Sequence, residues 1–307
     1  MKHSLKITLI LLAMFFLTQL IGLAVINAYR PEVKDVVLQN GSIVEKEVYN
    51  LPYGMNPPEE TTPKTNLISI FIAIGLAVVI MLFLMKYRLE IFFRIWFFLV
   101  VALAIGITLN SLLLDVPYSS LISFLIAIPI SFIKIFKRNI VVHNLTELLI
   151  YPGIAAIFVP LLTVWTVVIL LVVISIYDIY AVWHAGFMQK MAKYQIHKLK
   201  LFSGFFIPYL GKKERELMRS NSKSKNNQKK IKVSVAILGG GDVVFPIILS
   251  GVVFLQFGLI SALIVSIGAT LALASLFYAS QKGKFYPAMP FISAGCFIAL
   301  ILVYLIR

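Results

Sequence analysis

Apolar residues in this chain come in long unbroken runs, without the two-residue alternation of half-buried strands or the 3.6-residue stripe of amphipathic helices. Nine runs reach the roughly 20 residues a helix needs to cross a bilayer: 5–28, 67–85, 91–114, 118–136, 140–160, 161–186, 233–255, 258–280 and 285–306. Only Tyr151-Pro152-Gly153 and Pro160 break the fifth from the sixth. The first run follows Lys2 and Lys6, as a signal peptide would. It is longer than a signal h-region of about 7–15 residues, and Ile26 stands where a small residue is wanted before Ala28. The pattern predicts an anchor helix there, and an all-α, polytopic membrane protein of nine transmembrane helices.

Composition agrees. Of 307 residues, 60% are hydrophobic and 13% charged, whereas a soluble domain carries about a quarter charged. The one cysteine, Cys296, excludes an internal disulfide scaffold and a Cys-rich zinc site. The charge balance is 28 Lys and Arg against 13 Asp and Glu. Arg30, Lys34, Lys46, Lys64 and Arg307 fall on one side of the predicted membrane, and the other 23 of the 28 fall on the opposite side. Basic residues mark the cytoplasmic face, so the expected topology is N-terminus cytoplasmic and C-terminus outside. A nucleic-acid partner is not expected, because anionic membrane lipid accounts for the basic loop.

These segments divide the chain into three parts. Residues 1–186 form a six-helix part of one membrane domain, with a polar outer loop at 29–66. Residues 187–232 form a basic, low-complexity cytoplasmic loop. Residues 233–307 form a three-helix part.

With only thirteen acids, each can be placed. Glu32, Asp35, Glu45, Glu47, Glu59 and Glu60 lie in the outer loop, and Glu214 and Glu216 in the inner one. Glu90 sits among basic residues, while Asp115 and Glu147 fall near membrane edges. Asp178 and Asp242 remain, both inside apolar runs. A carboxylate at the bilayer centre costs roughly 2.5–3.5 kcal/mol, and no Lys or Arg inside a predicted span pairs with either. His184 is six residues from Asp178, about 240° around a helix.

Depth matches the two. Asp178 precedes Lys190 by twelve residues, roughly 18 Å of helix, and Asp242 follows Lys232 by ten, roughly 15 Å. On antiparallel neighbours the carboxyls would lie at one level. Two close aspartates share one proton, and such a pair activates a water: the ionised member takes its proton while the other polarises a carbonyl. Gly239-Gly240-Gly241, expected mid-helix just before Asp242, would loosen the helix beside a cavity. Pro287-Ala288-Met289-Pro290 opens the last run and leaves backbone carbonyls free.

Tyr177-Asp178, Gly239-Gly240-Gly241-Asp242 and Pro287-Ala288-Met289 resemble the YD, GxGD and PAL signatures of the presenilin and signal peptide peptidase family of intramembrane aspartyl proteases. Their order and helix placement match along the whole chain; Met289 replaces the usual Leu, a nearly volume-conserving change. The resemblance implies that Asp178 and Asp242 are the catalytic pair. It implies that Tyr177, Gly239, Gly240 and Gly241 shape the site, and that Pro287, Ala288 and Met289 help to position substrate. The substrates implied are transmembrane-helix proteins, and no metal or cofactor is expected. The N-inside topology is the presenilin arrangement, and single-chain archaeal homologues, which need no partner subunits, are the nearest in kind. A prokaryotic cell membrane is the expected location.

Other chemistries have less to stand on. No His-Glu-x-x-His zinc motif occurs among His3, His143, His184 and His197. His143 and Glu147 are four apart and read as a satisfied pair at the membrane edge. No Gly-x-Ser-Gly marks a serine protease. A different class, a proton-coupled transporter or channel using Asp178 and Asp242 as a relay, explains the buried acids but not the Pro-Ala-Met segment.

Overall fold

The computed structural model describes residues 5–37, 43–57, 63–86, 90–137, 139–182, 203–209, 234–280 and 286–306. Nine α-helices lie among them: α1 (Leu5–Ala28), α2 (Pro63–Lys86), α3 (Glu90–Asn110), α4 (Ser119–Phe136), α5 (Ile140–Phe158), α6 (Val164–Tyr180), α7 (Gly240–Phe257), α8 (Leu259–Ala279) and α9 (Met289–Ile306). By length and composition α1, α3, α4, α5, α7, α8 and α9 can each cross a membrane, whereas α6 has 17 residues and the apolar stretch of α2 is Ile68–Ala77. The chain is thus a mostly helical, multi-pass membrane protein.

It is not all-α as expected. Two antiparallel hairpins accompany the helices: β1 (Glu32–Val37) with β2 (Ile43–Val48), and β3 (Gly204–Tyr209) with β4 (Ser234–Gly239). Apolar runs cannot by themselves separate a buried strand from a helix. Residues 234–239, placed in a helix by hydropathy, are a strand, and β3 is an ordered apolar segment within what reads as a basic loop. Lys190, Lys232 and His184, used above to judge depth and pairing, lie outside the described residues.

The break between α5 and α6 is clean. Pro152 is absorbed within α5, a 3₁₀ turn spans Val159–Leu161, and Thr163 caps α6 in a reciprocal box with Thr166.

Helix α7 is the hub, with 61% of its span buried inside the fold against 28–44% for the other six spans. It packs on α1, α5, α8, α6 and α9. Contact is close because small residues sit at the crossings. Carbons added at Gly268 of α8 would meet Ala299 and the Gly295 carbonyl of α9, and carbons added at Gly295 would meet Ala272 and the Gly268 carbonyl. This is small-xxx-small packing read from both helices. Gly153 of α5 likewise lies against the Ala104 carbonyl of α3. Tyr29 Oη donates to the Ile107 carbonyl at 2.7 Å, and Tyr53 Oη lies 2.6 Å from Ser123 Oγ.

Candidate active site

Asp178 lies near the C-terminal end of α6 and is buried, at 6% exposure. Its Oδ2 accepts the backbone N–H of Met289 at 3.1 Å. Met289 is the first residue of α9, and the first amides of a helix have no intrahelical acceptor. A carboxylate from another helix therefore does the work of an N-cap. One turn earlier on α6, Ser175 Oγ donates to Ser293 Oγ of α9 at 3.0 Å, which fixes the two helices in register beside the carboxyl.

Asp242 arrives differently. Gly239 ends β4 and is the N-cap of α7, so Gly240, Gly241 and Asp242 fill the first three helical positions. This corrects the expectation of a glycine run in mid-helix: the strand ends where the pairing with Gly204 ends, and the glycines make the strand-to-helix corner. Asp242 Oδ2 folds back over Gly239, 3.1 Å from where a side-chain carbon there would stand. An acidic residue at the third position normally reaches back to the N-cap amide. A carbon at Gly240 would come within 2.9 Å of both Tyr151 Oη and Ser203 Oγ, so glycine is required there by close approach. Gly241 has more room, facing only the Phe245 ring at 3.5 Å.

The two carboxyl groups lie within Coulombic reach of one another. Helices α6, α7 and α9 pack mutually, and Asp178, Asp242 and the Pro287-Ala288-Met289 segment converge where they meet. Pro287 and Met289 are buried and Ala288 is partly exposed. Tyr177, the residue before Asp178, is 56% exposed.

Two groups escaped the sequence reading. Gln19 of α1, fully buried, donates from Nε2 to the Val243 carbonyl at 3.2 Å, next to Asp242 in the chain. Lys134, taken as a cytoplasmic-edge cation, is buried in α4 and donates to Glu147 Oε1 of α5 at 2.6 Å. Lys134 is thus a cation within a span, and Glu147 a third acid inside the fold. His143 joins them, with Nε2 3.5 Å from the same oxygen, so the expected His143–Glu147 pair exists with a third member. Among the described residues no group of three or more His, Cys, Asp or Glu side chains could hold a metal ion.

Comparison with known proteins bears on this geometry. A family model described as "Signal-peptide peptidase, presenilin aspartyl protease" matches residues 46–307. Two similar solved structures are of a presenilin family intramembrane aspartate protease, in C222 and P2 space groups. They align with TM-scores of 0.61 and 0.60, each at 17% identity, the first covering 98% of this chain and 99% of the other and the second 97% of both. No match was found among curated proteins.

Proposed function

Because the chain belongs to the signal-peptide peptidase and presenilin family of intramembrane aspartyl proteases, we propose that Asp178 and Asp242 are its catalytic dyad and that it hydrolyses peptide bonds within transmembrane segments. The observation that carries this reading is the convergence of the two carboxyls from α6 and α7 within Coulombic reach, with the α9 amide on Asp178. One proton shared between them leaves one oxygen to accept a proton from water and one acid to polarise the scissile carbonyl. The Met289 amide orients Asp178, so the Pro-Ala-Met segment acts on the dyad as well as on substrate. The glycine corner brings Asp242 to its place at the head of α7.

A substrate helix must unwind before its backbone can be attacked. The free edge of the β3–β4 hairpin offers partners for the unwound segment. Asn144 of α5 donates to the Phe206 carbonyl at 3.0 Å and accepts the Phe206 N–H at 3.1 Å, so the outer edge of β3 is closed. Phe206 pairs with Ile237. Since the Phe206 polar groups point away from β4, antiparallel geometry turns those of Ile237, and of Val235 two residues before, away from β3. Among the described residues no strand pairs there. Strand addition at that edge would lead an extended substrate along β4 towards Asp242. Pro208 lies on the closed side, opposite Val235, where its missing N–H costs no ladder bond.

We further propose the nine-span, N-inside topology from the distribution of basic residues, with no obligatory partner subunit. The test of the dyad is direct: reconstitute the protein with a single-span membrane substrate and compare wild type with Asp178→Ala and Asp242→Ala. Each substitution abolishes cleavage on this reading, and full activity in either variant refutes it.

A further inference from the structure

The buried cluster on α4 and α5 is not used by the dyad chemistry, yet it ends at the dyad. Glu147 and Tyr151 are one helical turn apart on α5 and so share a face. Glu147 is 0% and Tyr151 1% exposed. Lys134 holds Glu147 Oε1, and the Tyr151 hydroxyl faces the Glu147 carboxylate and Ser203 Oγ, with no bond of tight hydrogen-bond geometry to Tyr151 Oη or Glu147 Oε2 among the described residues. The hydroxyl is also within electrostatic reach of Asp242. The same hydroxyl lies against Gly240, the first residue of α7. The Tyr151 ring is held edge-on by Phe205 of β3, with centroids 5.6 Å apart.

Such a cluster has little structural justification. A buried ion pair is often no more stabilising than well-packed apolar residues, and a buried hydroxyl without tight hydrogen bonds is destabilising. What the arrangement does achieve is a fixed anchor. Lys134 and His143 hold Glu147, Glu147 presents its second oxygen to Tyr151, and Tyr151 forms the floor beneath a corner of three consecutive glycines.

We propose that Tyr151 is a positioning residue for Asp242: its hydroxyl, oriented by the Lys134–Glu147 pair, sets the glycine corner that carries the second aspartate. The inference rests on the dyad reading. Tyr151 holds the aspartate through the backbone, so its loss slows turnover and leaves substrate binding alone.

The conservative variant Tyr151→Phe keeps the ring and its contact with Phe205 and removes only the hydroxyl. Turnover of a fluorogenic single-span peptide is measured in vesicles and expressed per active site, with sites titrated by a hydroxyl-containing transition-state analogue. Per-site kcat is expected to fall about tenfold, from the lost contact of the hydroxyl with Glu147 and the glycine corner, with KM within about twofold of wild type. Glu147→Gln is expected to fall similarly, and the double variant no further than the worse single, because both act in one chain. Unchanged per-site kcat in Tyr151→Phe, an effect wholly in KM, or additive losses in the double variant each overturn the proposal. If Tyr151→Phe yields too few titratable sites, unchanged kcat in Glu147→Gln overturns it alone. Activity persisting in Asp242→Ala would instead sink the dyad reading, so the two failures are distinguishable.

Discussion

Met289 N donates to Asp178 Oδ2 at 3.1 Å across 111 residues of chain. This single bond ties the first aspartate motif to the Pro-Ala-Met motif and gives the latter a physical role: it presents an otherwise unpaired helix-start amide to a carboxylate.

Removing that donor should therefore cost turnover. Met289→Pro deletes the N–H at the first helical position, where proline is tolerated. Loss of a hydrogen bond to a charged group, worth about 1.5–3 kcal/mol, predicts a fall in kcat of roughly 10- to 100-fold. Met289→Leu keeps the amide and nearly the volume, and its kcat should stay within about twofold of wild type. Both are read from turnover in reconstituted vesicles; equal activity in the proline variant would separate the bond from catalysis.

The hairpin edge can be tested by proline as well. Ile237→Pro removes an N–H from the open edge of β4, and the expected result is a raised KM with the fold retained. Ala236→Pro removes an N–H that points into the β3–β4 ladder, and should lower the unfolding temperature too. If Ile237→Pro leaves KM unchanged, substrate does not add to this edge.

Close helix packing makes a stability prediction. At Gly153 and Gly268 an added carbon meets backbone oxygens of Ala104 and Gly295, and backbone cannot swing aside as a side chain can. Gly153→Ala and Gly268→Ala should each destabilise by about 1–3 kcal/mol, visible as a lower unfolding midpoint in detergent. At Gly75, where nothing lies within 4 Å, the same substitution should be neutral or slightly stabilising, since alanine favours the helix.

The Lys134–Glu147 pair predicts asymmetry. Lys134→Met leaves a buried carboxylate uncompensated and should cost about 3–5 kcal/mol. The double variant Lys134→Met/Glu147→Leu should recover most of that stability. Thermal unfolding of the two variants checks it; a double variant as unstable as the single would show that packing, and not charge, sets the cost.

The membrane class, seven of the nine helices to within four residues at either end, and the presence of two acids inside apolar runs were legible in the sequence because bilayer length and the cost of a buried carboxylate act on each segment alone. Helix α7 was legible only in part. Its start at Gly240 was hidden because residues 234–239 are as apolar as a helix in a membrane, and only pairing with Gly204–Tyr209 makes them a strand. Lys134 and Glu147 each looked like a membrane-edge residue, since nothing local says that two side chains thirteen residues apart will neutralise each other inside the fold. Sequence alone thus determined that two acids lie inside apolar runs. Tertiary structure decided what surrounds them: the Met289 amide on Asp178, the Tyr151 floor under Gly240 and the closed and open edges of the hairpin. These are contacts between distant segments, and their energies depend on packing that no local pattern encodes.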